Sequence, residues 1–223
     1  MLANSGLRLH EELLLLSLHD AKGSVRVTNF KLAVAGGLLA ELLLEGRVAL
    51  ERGAKSSKDR LVPADPRALS DPLLDECLRK IRDAKKPKAP KDWVMKFSQL
   101  SGLRKRVATG LVRRGILRER RARALLLFPW TYYPTLDPAP GRRIAEQVRG
   151  AVLGDGEVDE RTGALVAIAA KTGALNPVLG KRTLKERKER VEEIAASQLV
   201  ASAVQGAVEA AQAAAVAAAT AGG

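Results

Sequence analysis

The sequence predicts a mainly α protein with a basic β-hairpin and minor short strands. Three observations carry this prediction. Apolar residues recur at helical spacing through most of the chain. Glycines and prolines fall between those stretches, at places where helices end or begin. Between them, two short strand-like pieces flank an Arg-rich tip near residue 122.

In chain order, residues 7–18 carry apolar positions on one helical face, with Ser5 as the cap of the first turn. A turn follows around Gly23, and 24–27 is a candidate short strand. Residues 31–45 form the most apolar helix, closed by Gly46. Residues 47–51 alternate like a strand and can pair with 60–62. Asp71-Pro72 opens a helix running to about 83, with proline in the first turn. A Pro/Lys linker at 85–90 separates it from helices at 93–100 and 102–114. Strands at 116–120 and 124–130 form the hairpin. A Pro-rich loop at 134–140 then leads to helices near 142–153, 159–172, 183–195 and 197–219. No internal repeat is visible.

The chain has 223 residues, 46% apolar and 28% charged, enough for one sizeable core. We read 1–223 as a single domain in which 195–223 is an Ala-rich C-terminal helix and tail. Aromatic residues are only 3%, so Leu, Val, Ala and Ile must build the core. The net charge of +13 calls for a polyanionic partner, either nucleic acid or anionic lipid. The lone Cys77 excludes an intramolecular disulfide. The apolar run 13–16 is too short for a signal peptide, and the Ala-rich tail is interrupted by Gln198, Gln205, Glu209 and Gln212. The expectation is a cytoplasmic protein whose membrane contact, where it occurs, is peripheral.

The charge is concentrated. Nine cationic residues lie between Arg104 and Arg123 against one acid, Glu119. An apolar, aromatic run from Leu125 to Tyr133 follows at once, holding four of the seven aromatic residues. Tryptophan and tyrosine suit a boundary with one oily and one wet side, and arginine suits phosphate. The candidate membrane-contacting residues are Arg118, Arg120, Arg121, Arg123, Leu125 and Trp130. The plainer alternative makes Leu125 to Phe128 a core strand and the arginines its solvated neighbours. Arg104 and Lys105, near a helix start, are candidate anion holders, because backbone N–H groups point outward there. Trp93 is expected in the core, and the Gly36-Gly37 pair is expected to let helices pack closely. His10 and His19 belong to no ligand set, the acids Asp71, Asp75 and Glu76 suit a helix start, and no serine or cysteine has a base partner. We therefore expect no catalytic residues, no metal and no cofactor.

Several segments, in order, resemble the Golgi phosphoprotein 3 family. They are Glu11-Glu12-Leu13-Leu14-Leu15-Leu16-Ser17-Leu18 with Asp20 and Gly23, and Gly36-Gly37-Leu38-Leu39-Ala40-Glu41 through Gly46-Arg47-Val48. Asp71-Pro72-Leu73-Leu74-Asp75-Glu76 follows, then Gln99-Leu100 through Gly115-Ile116-Leu117, Leu126-Leu127-Phe128, and Val158-Asp159-Glu160-Arg161. The resemblance implies helices packed around a central apolar helix, with a protruding β-hairpin. It also implies a peripheral membrane adaptor that binds phosphatidylinositol 4-phosphate and the cytosolic tails of membrane enzymes. Of the family's headgroup residues, Arg104 matches one of two spaced arginines, whereas Ser101 stands at the other. Ala35 replaces a further arginine, and the loop that would supply a tryptophan holds Arg26, Val27 and Thr28. Arg26 and Lys31 are the candidates to replace the missing cations. Binding of anionic phospholipid is the expected function. The alternative is a winged-helix-like nucleic-acid-binding protein, with 102–114 as recognition helix and the basic hairpin as wing.

Overall fold

A computed structural model describes residues 6–19, 22–52, 59–65, 67–124 and 128–221, excepting the side chains at 52, 122–124, 128, 129 and 221. In chain order it contains α1 (Leu9–Ser17), α2 (Phe30–Leu44), β1 (Val48–Arg52), β2 (Asp59–Pro63), α3 (Pro72–Arg82), α4 (Pro90–Ser98) and α5 (Leu103–Arg113). Then come β3 (Arg120–Ala124), β4 (Phe128–Tyr132), α6 (Ala139–Leu153), α7 (Glu160–Thr172), α8 (Asn176–Leu179), α9 (Lys181–Glu186), α10 (Lys188–Ala196) and α11 (Leu199–Ala221). The fold is mainly helical, with two separate two-stranded antiparallel sheets, β1-β2 and β3-β4.

Helix α2 is the hub. Every residue from Leu32 to Leu42 is buried, as expected of a helix that is apolar on all sides. α1, α4, α7 and α11 pack around it. The glycine pair sets how closely they approach. A Cβ on Gly37 would lie 2.8 Å from both the N and Cα atoms of His10 in α1. One on Gly36 would lie 2.8 Å from Val208 Cγ2 in α11 and 3.2 Å from Ile168 Cγ2 in α7. Trp93 and Phe97 of α4 pack into the same core, with ring centroids 5.8 Å apart.

Charge is also buried here. Glu41, on α2, accepts from the Leu9 backbone N–H at 2.8 Å and from Arg161 of α7 at 3.1 and 3.2 Å. Arg161 reaches on to the Leu7 carbonyl at 2.6 Å, and Arg8 lies 3.4 Å from Glu41. α1, α2 and α7 thus share one ionic knot. Asp71 caps α3 by accepting from the Leu73 and Leu74 N–H groups at 2.8 and 3.0 Å, and stands 3.5 Å from Nε2 of buried His10. Burial raises the Asp71 pKa, but the His10 bond, the His10 charge and the two backbone donors outweigh it and hold the carboxyl below its usual range.

Several boundaries differ from the sequence expectation. α4 begins three residues early because Pro90 occupies its first turn. The helix expected at 183–195 is two, α9 and α10, and the short α8 precedes them. The strand expected at 24–27 is a single bridge, Leu18 to Val25. Ser5 lies outside the described residues, and the α1 N-cap is Arg8, with Glu11 returning a bond at 2.9 Å to its backbone N–H. α11 is long and apolar enough, by length and composition, to cross a bilayer. Its first half is instead set in the core through Val200, Val204, Ala207, Val208 and Ala211, and residues 213–220 are exposed.

Two outcomes test this packing. Gly37→Ala should lower stability by about 1–3 kcal/mol in denaturant unfolding, because the opposing atoms are backbone and cannot rotate away. Gly36→Ala, facing side-chain ends, should cost less. Asp71→Asn keeps a cap acceptor but removes the charge. Since the folded-state pKa of Asp71 is depressed, its contribution is present above the ordinary value and lost as pH falls through the folded one. Asp71→Asn should therefore be the less stable protein at neutral pH, with the gap narrowing progressively as pH falls below about 5. A gap independent of pH would remove the charge from the account.

Candidate functional site

The basic run begins where Gly102, in the left-handed region at φ +62°, opens α5. Helical geometry then separates its neighbours. Arg104 turns inward, Lys105 is exposed, and Arg106 bonds Glu76 of α3 at 2.7 Å. At the far end of α5, Arg113 is exposed while Arg114 reaches Glu11 at 3.1 Å and the Gly6 carbonyl at 3.0 Å. Arg104, Arg106 and Arg114 therefore have partners elsewhere in the fold, and the run is not one uniform basic face.

Arg104 lies at a junction of three segments. Its Nη2 donates to the Gly23 carbonyl at 2.8 Å, and its guanidinium stands 5.5 Å from the Tyr133 ring centroid. The same carbonyl accepts from the Tyr133 N–H at 3.2 Å. Only glycine fits at 23: its φ is +56°, and a Cβ would fall 2.2 Å from the Tyr133 and Pro134 backbone. Burial lowers the Arg104 pKa and raises that of the Tyr133 hydroxyl. Arg104 Nε and the Tyr133 hydroxyl are buried without a hydrogen-bond partner among the described residues. The junction thus joins the α1–α2 loop, the start of α5 and the base of the hairpin.

The hairpin corrects the expected strands at 116–120 and 124–130. Pairing runs from Leu117 opposite Thr135 to Ala124 opposite Phe128 in one continuous register. Buried Leu117 and Tyr133 anchor the base and so fix that register. The turn accordingly falls about four residues later than expected. Arg120, Arg121 and Arg123 belong to strand β3, not to a tip, and the residues between the strands are Leu125, Leu126 and Leu127. Those leucines, and the Arg123 side chain, lie outside what the structure describes.

Strand alternation sends Arg120 and Arg121 to opposite faces of the ribbon. Arg120, opposite Tyr132, shares a face with Trp130, which is 47% exposed and stacks on Tyr132 at 5.4 Å. Arg121 is exposed on the other face, 3.3 Å from Glu119, and Arg118 is exposed nearer the base. β3 and β4 make their principal contacts with each other, so the ribbon projects from the helical body.

Arg26 and Lys31 both lie on the surface. Arg26 is exposed and lines a different cleft, of about 290 Å³, with Arg142 and Arg149 opposed by Asp137 and Glu146. Lys31 is exposed in the first turn of α2. Sequence reasoning missed Gly23 and Tyr133 as partners of Arg104. A glycine in a short turn was the available signal, but it named no partner.

The sequence model of the family described as Golgi phosphoprotein 3 (GPP34) matches residues 9–211. The chain is also 30% identical, over 159 residues, to a protein of Schizosaccharomyces pombe named vacuolar protein sorting-associated protein 74. That match covers 64% of this chain and 47% of the relative, so it spans about half of the relative's length. A family match that runs unbroken from α1 through the hub helix and the hairpin into α11 takes in every element of the site, and by it the chain belongs to the Golgi phosphoprotein 3 family.

Proposed function

We propose that this protein binds membranes peripherally through anionic phospholipid headgroups, with phosphatidylinositol 4-phosphate as the ligand the family resemblance implies. The observation that carries the reading is the projecting ribbon, with exposed Arg118, Arg120 and Arg121 and the exposed Trp130. Arginines on both faces do not suit a ribbon lying flat. They suit one entering tip first, where both faces pass through the headgroup layer. Leucines would then meet acyl chains, Trp130 the interface, and the guanidinium groups the phosphates. Each arginine near an anionic leaflet contributes on the order of 1 kcal/mol. Arg104 and Lys105 stand at the base, on the start of α5, where a phosphate could be held.

The protein acts in this reading by binding, as an adaptor at the cytosolic face of a membrane that grips cytosolic tails of membrane enzymes. The sorting-associated name of the fission-yeast relative supports it. Nucleic-acid binding through α5 has less support. Leu103, Val107, Ala108 and Leu111 of α5 face the core, and Arg106 and Arg114 are held by Glu76 and Glu11. A recognition helix needs those side chains free.

Flotation with vesicles tests the proposal. The protein should float with phosphatidylcholine vesicles containing phosphatidylinositol 4-phosphate or phosphatidylserine, and not with phosphatidylcholine alone. Arg120→Glu with Arg121→Glu should reduce partitioning by roughly a thousandfold, since two favourable charges become two repelled ones. Trp130→Ser should weaken it less. Unchanged flotation would remove the ribbon as the contact surface, and stronger retention on duplex DNA at about 150 mM salt would favour the nucleic-acid reading.

A further inference from the structure

The C-terminal ends of α3 and α4 enclose a cleft of about 980 Å³ on which Lys80, Lys85, Lys86, Lys88 and Lys96 converge. Only two carboxylates share it, and both are occupied. Glu76 is taken by Arg106 at 2.7 Å and Lys80 at 3.4 Å, and Asp83 by Arg82 at 2.8 Å. Among the described residues, Lys85, Lys86, Lys88 and Lys96 have no carboxylate within ion-pair distance.

Surface lysines ordinarily swing apart and stay hydrated. Two of these are held. The Lys88 carbonyl accepts from the Leu61 N–H at 2.9 Å, which fixes the linker to β2. The Lys96 ammonium stands 5.1 Å over the ring of Trp93, a side chain sealed in the core. A side-chain hydrogen bond with Lys88, then burial and the charges of Lys88 and Lys80, push the Lys96 pKa down. Like charges pressed together in a concavity are stabilised by an anion between them.

We propose that this lysine cleft is a binding site for a compact anion bearing several phosphate groups. One phosphate would leave most of the ammonium groups uncompensated, and the cleft has room for a larger ligand. Ammonium groups act as point charges that need no bidentate geometry, which suits several phosphates on a small scaffold. The ligand is either a soluble phosphorylated molecule or a multiply phosphorylated lipid headgroup. Ser101, on the cleft wall, precedes Arg104 by three residues, so the cleft and the Arg104 junction flank the start of α5. The cleft is nonetheless independent of the ribbon.

Calorimetry with inorganic tripolyphosphate, and flotation with phosphatidylcholine vesicles carrying phosphatidylinositol 4,5-bisphosphate, test the site. The variant is Lys88→Gln with Lys96→Gln, the first position half-buried and the second exposed, with circular dichroism to check the fold. Tripolyphosphate should bind with a stoichiometry of about one, and the double variant should weaken it roughly tenfold to a hundredfold. Arg120→Glu with Arg121→Glu should leave that affinity unchanged while abolishing flotation. If tripolyphosphate does not bind but the lysine variant selectively loses the bisphosphate vesicles and keeps phosphatidylserine vesicles, the source is the lipid and the site stands. The site is refuted if the lysine variant alters neither assay, or if the ribbon variant weakens tripolyphosphate equally, because binding would then follow overall charge.

Discussion

The architecture depends on a carboxylate placed where a carboxylate is expensive. Glu41 lies on the most apolar helix of the chain and is buried with it. It is tolerable only because the Leu9 N–H, Arg161 and Arg8 converge on its two oxygens. Each of these partners comes from outside α2. The charge therefore fixes the N-terminal turn of α1 and the first turn of α7 against α2, as an apolar contact would not. The glycines one turn earlier on α2 let those helices come close enough for the knot to form. Close packing and ion pairing are here one constraint, and α1, the support for Arg114 and His10, is seated by it.

That seating reaches the site through a short route. α1 ends in the loop carrying Gly23, whose carbonyl holds Arg104 and the Tyr133 N–H together. Tyr133 is the last buried residue of the hairpin base, and with Leu117 it sets the strand register. The position of the ribbon is thus determined by the core and not by the arginines it carries. A glycine that cannot accept a Cβ is the point where the two meet.

Much of this was legible in the sequence, and what was missed has a common cause. The hub helix, the Asp71 cap, the buried Trp93 and the glycine pair follow from local patterns that tertiary structure had no reason to override. The hairpin was visible as an element but misplaced. The dense arginines read as a turn, whereas the turn is set by buried anchors at the other end of the ribbon, and no local signal reports that distance. Arg26 illustrates the same limit, since its place before the hub helix in sequence did not announce the cleft it shares with Arg142 and Arg149. The lysines at 80–96 read as a linker and a helix surface. Only the approach of α3 to α4 makes them a cleft.

The +13 charge is consequently divided among tasks that composition cannot separate. Arg8, Arg106, Arg114 and Arg161 neutralise acids inside the fold, and their worth lies in leaving no buried carboxylate alone. Arg118, Arg120 and Arg121 stand on a ribbon that adds little to the core, so the fold gives no reason for their charge. Among the described residues, Lys85, Lys86, Lys88 and Lys96 of the cleft likewise have no carboxylate within ion-pair distance. In this protein the groups without an internal partner, and not the total charge, single out the candidate anion-binding surfaces.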